Sequence, residues 1–150
     1  SGMASVPKSV HKAFSDAIEL GRVDSVRSIL LVYPALADHP DWVPPPLHCA
    51  VLWNQPEIAE VLLDSGADIE RLDPDRKTTP LRYAIMYCKP TMVETLLRHG
   101  ANVNAIVESG TSALELAKEA ADGAFDQYED LPAREDYRAV VEVLLNLGLE

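Results

Sequence analysis

Apolar positions along this chain fall into pairs of short helical stripes, each pair followed by a polar turn. In "PLHCAVLWNQPEIAEVLLDSGADIE", residues 46–70, Leu47, Ala50 and Val51 recur at helical spacing and predict a short first helix. Pro56 opens a second stripe, Ile58, Ala59, Val61, Leu62 and Leu63, which predicts a helix with one buried face. Pro46 and Pro56 suit a first helical turn, where the missing N–H has no partner to lose. Gly66 follows the last apolar pair, as a left-handed C-terminal cap requires, and "ADIE" then leaves in an extended direction. Trp53 resists this scheme: it stands just before "NQPE", where a short helix turns into solvent.

The pattern repeats. A slide of 34 residues lays Pro46, Leu47, Ala50, Pro56, Leu62, Leu63, Gly66 and Ala67 on Pro80, Leu81, Ala84, Pro90, Leu96, Leu97, Gly100 and Ala101. A further 33 takes Leu81 and Ala84 to Leu114 and Ala117, but the second stripe of that unit, "AVVEVLLNLG", arrives late, after an insertion at about 122–136. Backward by 33 lies a weaker copy, with Phe14, Ala17, Ile29 and Leu30 in the matching places. Neither helix of a unit buries its face alone, so the units must stack. The expectation is an all-α solenoid, one array over 1–150, with units at about 12–44, 45–77, 78–110 and 111–150.

"TTPLRYA", "PPLHCA", "LLDSGADIE" and "LLRHGANVN" resemble the ankyrin repeat, with its TPLHxA opening and GADVN-like close. The outer units depart from that pattern: Tyr33 stands in place of the family's glycine, and Ala113 in place of its proline. The resemblance implies stacked helix-turn-helix units with extended finger turns, no catalysis, and protein–protein interaction in a concave groove, as in a scaffold. It implies that His48 fixes a loop by hydrogen bonding, a role not repeated where unit three has Arg82. Asn104 resembles the asparagine hydroxylated in many such repeats; the alternative is a backbone hydrogen bond between neighbouring fingers. The positions after the family's paired alanines point into the groove. They are Glu19 and Leu20, Leu52 and Trp53, Met86 and Tyr87, and Glu119 and Ala120. Trp and Tyr offer large apolar area with a polar tip, which suits a binding hot spot. The other reading of Trp53 and Tyr87 is that they cover the array's own core.

The fingers add candidates. "ALADHPDWVPPP" puts Trp42 near a tip, and "LDPDRKTT" holds Arg71, Arg76 and Lys77, which pair either with a partner's carboxylates or with Asp73 and Asp75 beside them. The turn "AIVESG" is mild. A short peptide or helix laid across the groove fits these features best.

Charge narrows the partner. The net charge is −11: residues 1–107 hold 13 acidic and 10 basic side chains, residues 108–150 hold 11 and 3. Such a surface repels phosphate backbones and anionic lipids, so neither nucleic acid nor membrane is expected. The insertion has six acidic residues and one arginine, with Phe125 and Tyr128 interleaved. It reads as a solvated excursion or as an acidic-aromatic docking loop, and it lacks the spacing and glycine of a calcium loop.

No arrangement of His, Cys or Ser suggests an enzyme. His11, His39, His48 and His99 are scattered over different units, and no phosphate-binding loop is present, so no catalytic residue, metal or cofactor is expected. Cys49 and Cys88 lack metal-ligand spacing and read as buried free thiols of a reducing compartment. With no apolar run of 18 residues and no secretory segment, a cytoplasmic protein is expected. "SGM" reads as a tag remnant before a native start at Met3. The ending "VLLNLGLE" leaves Leu147 and Leu149 apolar where a terminal repeat is normally polar. That motivates an alternative: weak self-association through the C-terminal unit, or a place in a longer array.

Overall fold

A computed structural model describes residues 5–105 and 110–148. The N-terminal "SGM", residues 106–109 of the turn before unit four, and Leu149 therefore lie outside the described residues. Among those described there are eight α-helices and no strand. They are α1 Lys8–Leu20, α2 Val23–Val32, α3 Pro46–Leu52 and α4 Pro56–Asp64, followed by α5 Pro80–Met86, α6 Pro90–Arg98, α7 Ala113–Ala121 and α8 Tyr137–Asn146. They form four antiparallel pairs in two layers. The first helices α1, α3, α5 and α7 pack in that order, and α2, α4, α6 and α8 pack behind them.

The core follows the sequence stripes. Leu47, Ala50, Val51, Leu81, Ala84 and Ile85 are buried from the inner layer, and Ile58, Leu62, Met92, Leu96, Val140 and Leu144 from the outer layer. The methyl groups of Ala17, Ala50, Ala84 and Ala117 lie at the inner interface, where small side chains let neighbouring helices approach closely. Pro46, Pro56, Pro80 and Pro90 each occupy the first position of a helix, as expected.

The same turn ends the inner helix of every pair. The amides of Arg22, Gln55, Lys89 and Ala124 donate to the carbonyls of Ala17, Ala50, Ala84 and Glu119, closing a six-residue capping loop. The loop needs one left-handed residue. Gly21 and Gly123 supply it freely, whereas Asn54 and Cys88 adopt φ of 52° and 55°. At the other end of the outer helices, Gly66 and Gly100 take φ of 105° and 91°, the left-handed caps the sequence called for. Tyr33 has φ −126° and makes no such cap. There the chain enters a 3₁₀ turn, Pro34–Asp38, which buries Leu36.

The insertion falls between α7 and α8, where the late stripe placed it. It runs through exposed turns into a second 3₁₀ turn, Arg134–Asp136. It is more than a solvated excursion, because it is fastened at several points. The Tyr137 hydroxyl donates to the Met86 carbonyl, the Cys88 thiol to the Asp136 carbonyl at 3.1 Å, and Arg134 pairs with Asp126.

Candidate binding groove

The shared turn brings one residue from each inner helix into register just ahead of the left-handed position: Leu20, Trp53, Tyr87 and Asp122. Leu20 is 59% exposed and Trp53 48%, so neither is needed to seal the core. Leu52 and Met86, one position earlier, are half-buried against the core, and Glu19 is exposed. The Gln55 amide donates to the Glu19 carbonyl at 3.3 Å, tying the first two turns together.

Tyr87 differs from Trp53. Its ring lies 4.7 Å from that of Tyr83, and the Arg76 guanidinium sits 5.8 Å from its centroid. Tyr87 thus covers its own unit with one face, as the core reading held, and is half-buried. Burial pushes the Tyr83 hydroxyl up to about 12, with the neighbouring Tyr87 ring a lesser contribution.

In unit four the register shifts. Helix α7 has nine residues against seven in α3 and α5, so its turn closes at Gly123. Ala120, expected in the groove, is 1% exposed. Asp122 stands in the row instead. The signal for it was Gly123, the one residue of the excursion free to adopt a left-handed conformation. Glu119 is exposed, and its charge offsets part of the cost of burying the Arg82 guanidinium, which burial pushes below the ordinary arginine range.

The fingers rearrange the remaining candidates. Arg71 does not pair with Asp73 or Asp75 but with Asp38 of the preceding finger, through Nε and Nη2 to both carboxylate oxygens. Asp73 is buried and accepts the Asp75 amide at 2.9 Å. Its own amide donates to Thr78, and Lys77 closes this hairpin at φ 52° with its side chain exposed. Trp42, expected near a tip, is half-buried: its indole N–H donates to His11 Nδ1 at 2.9 Å and its ring meets Phe14 edge-on.

Two buried side chains hold the fingers to the helices. His48 Nε2 donates to the Thr78 carbonyl at 2.8 Å, and burial lowers the pKa of the ring, which favours its neutral form. Arg82, one unit later, donates to the Thr111 carbonyl. The expectation that this role lapses in unit three is therefore corrected: a different side chain reaches the equivalent carbonyl. The bond between neighbouring fingers is made by Glu70, whose carboxylate accepts the Asn102 amide at 3.0 Å, and the exposed Asn104 donates its amide to the Asn102 side chain.

Among the described residues no three His, Cys, Asp or Glu side chains come close enough to hold a metal ion, and no helix is long and apolar enough to cross a membrane. None of the curated proteins matches the chain. A family model for ankyrin repeats, in three copies, matches residues 47–126, just over half of it. With four helix pairs, a recurring capping turn and polar side chains bracing each finger, the chain belongs to the ankyrin repeat family.

Proposed function

We propose that this array is a noncatalytic interaction module that holds one protein segment across the turn ends of its inner helices. The observation that carries the reading is Trp53, half-exposed at the end of α3 and flanked in register by exposed Leu20 and half-buried Tyr87. An indole kept out of the core offers apolar area that only a partner can remove from water, about 2 kcal/mol for one ring. Leu52 and Met86 form the floor beneath this row. Glu19, Glu119, Arg76 and Lys77 border it, and Trp42 supports the adjoining finger from behind. The two free thiols fit a reducing compartment, for which the cytoplasm is the simplest choice.

The test is partner capture from source lysate by the wild type and by the Trp53→Ala/Tyr87→Ala double variant. Capture is expected to be lost while helical circular dichroism is retained; unchanged capture sinks the reading.

A second reading draws on Leu145 and Leu147, each nearly half-exposed at the end of α8, and has the chain associate through that face. Against it, Lys118 stands exposed at the position where Val51 and Ile85 are buried by the next unit. Light scattering over a wide concentration range separates the two: a constant monomer mass removes self-association.

A further inference from the structure

The excursion between α7 and α8 leaves the stack at the edge that carries Leu20, Trp53 and Tyr87. It is held to the end of α5 on both sides of Tyr87, by the Met86 carbonyl and the Cys88 thiol. From that anchorage a line of rings runs outward. Phe125 lies 5.8 Å from Tyr137, and Tyr128 lies 6.3 Å from Phe125 and is 51% exposed. Glu129 and Asp130 follow Tyr128, both exposed, while the single arginine of the excursion is paired with Asp126. On the fingers, Arg71 is paired with Asp38, Arg76 lies over Tyr87, and Lys77 is exposed farther from the excursion's carboxylates in the chain, on the turn before unit three. At the unit-four end of the row, exposed Asp122, Glu129 and Asp130 thus put negative charge beside half-buried Phe125 and exposed Tyr128.

We propose that the excursion is the end wall of the groove and that its occupant is a basic segment. Apolar anchors of that segment lie over Leu20 and Trp53, and its Lys or Arg side chains reach Tyr128, Glu129 and Asp130. Tyr128 offers an exposed ring face to a cation, next in the chain to the carboxylates of Glu129 and Asp130, a pairing that an acidic or neutral segment cannot use. This rests on the groove reading above and adds the chemistry of the partner to it.

Two synthetic amphipathic peptides of identical leucine pattern, one with Lys and the other with Glu at every polar position, serve as probes. Their binding to the intact chain is measured by fluorescence anisotropy at low and moderate salt. The variants are Glu129→Gln/Asp130→Asn, Trp53→Ala and, as a control on remote outer-layer charges, Asp24→Asn/Glu57→Gln. The Lys peptide is expected to bind and the Glu peptide not to bind. Neutralising Glu129 and Asp130 should weaken the Lys peptide about fivefold, with a shallower salt dependence. Trp53→Ala should weaken it further, and the control should leave it unchanged. If the control weakens binding as much as the Glu129/Asp130 variant, attraction to the chain's net charge explains everything and the proposal falls. If the two peptides bind alike, or the excursion variant binds like wild type, the basic-partner inference falls and the groove stands. If binding ignores Trp53→Ala, or neither peptide binds, the groove reading falls and takes this one with it.

Discussion

His48 concentrates several demands in one side chain. It is fully buried, its Nε2–H is committed to the Thr78 carbonyl, and its Nδ1 meets no hydrogen-bond partner among the described residues. Replacing it with Ala leaves the carbonyl unpaired and a cavity behind, and is expected to cost about 3 kcal/mol in urea unfolding. The same burial makes stability depend on pH. The folded pKa lies below the ordinary 6.5, so the unfolded chain takes up the proton first as pH falls. This stability is fully present at neutral pH and declines as pH drops through 6.5 towards the lowered folded value. His48→Gln keeps a donor for Thr78 and removes the titration. Its stability between pH 7.5 and 5.5 should fall less steeply than wild type, and an equal slope in both would show that His48 is not the group responsible.

At the scale of the element, the capping turns invite a second comparison. Cys88 takes φ 55° where Gly21 and Gly123 sit elsewhere, and a side chain there costs about 1 kcal/mol. Cys88→Gly also gives up the thiol contact with Asp136, so a modest net gain in melting temperature is expected; a loss would mean that contact outweighs the strain. Tyr137→Phe tests the other fastening: without the bond to the Met86 carbonyl the array should lose about 1 kcal/mol in denaturant unfolding. Helix starts and stops were legible at this scale because Pro46, Pro80, Gly66 and Gly100 each impose a local backbone state whatever surrounds them. The Arg71–Asp38 pair was not, since it joins residues 33 apart that meet only after the fingers stack. Nor was the equivalence of His48 and Arg82: the shared feature is the carbonyl each reaches, which no comparison of side-chain types displays. The shift in unit four was missed because "ALELAKEAA" itself does not mark a helix two residues longer than α3 and α5, and only Gly123 beyond it gives the stop.

For the molecule as a whole, stability is a chain of neighbour-to-neighbour interfaces. The second and third pairs are covered on both sides, whereas α1–α2 and α7–α8 each lack one neighbour among the described residues. Amide exchange should therefore be slowest in α3–α6 and faster in α2 and α8. Protection of α2 equal to that of α4 would contradict a nearest-neighbour array. The periodic apolar pattern made this architecture readable from the sequence, while the fastening of the insertion to α5 emerged only from the structure.

That fastening has a practical consequence for anyone wishing to alter the protein. Because Tyr137 is locked to Met86 and Ala124 to Glu119, both ends of the excursion are fixed by contacts outside its exposed middle around Gln127. Lengthening a loop with clamped ends costs only about 0.6 kcal/mol for each doubling of its span. Gln127 is thus a splice point for an epitope or a fluorescent tag, one that would report on whatever approaches Trp53 without disturbing the helices that hold it.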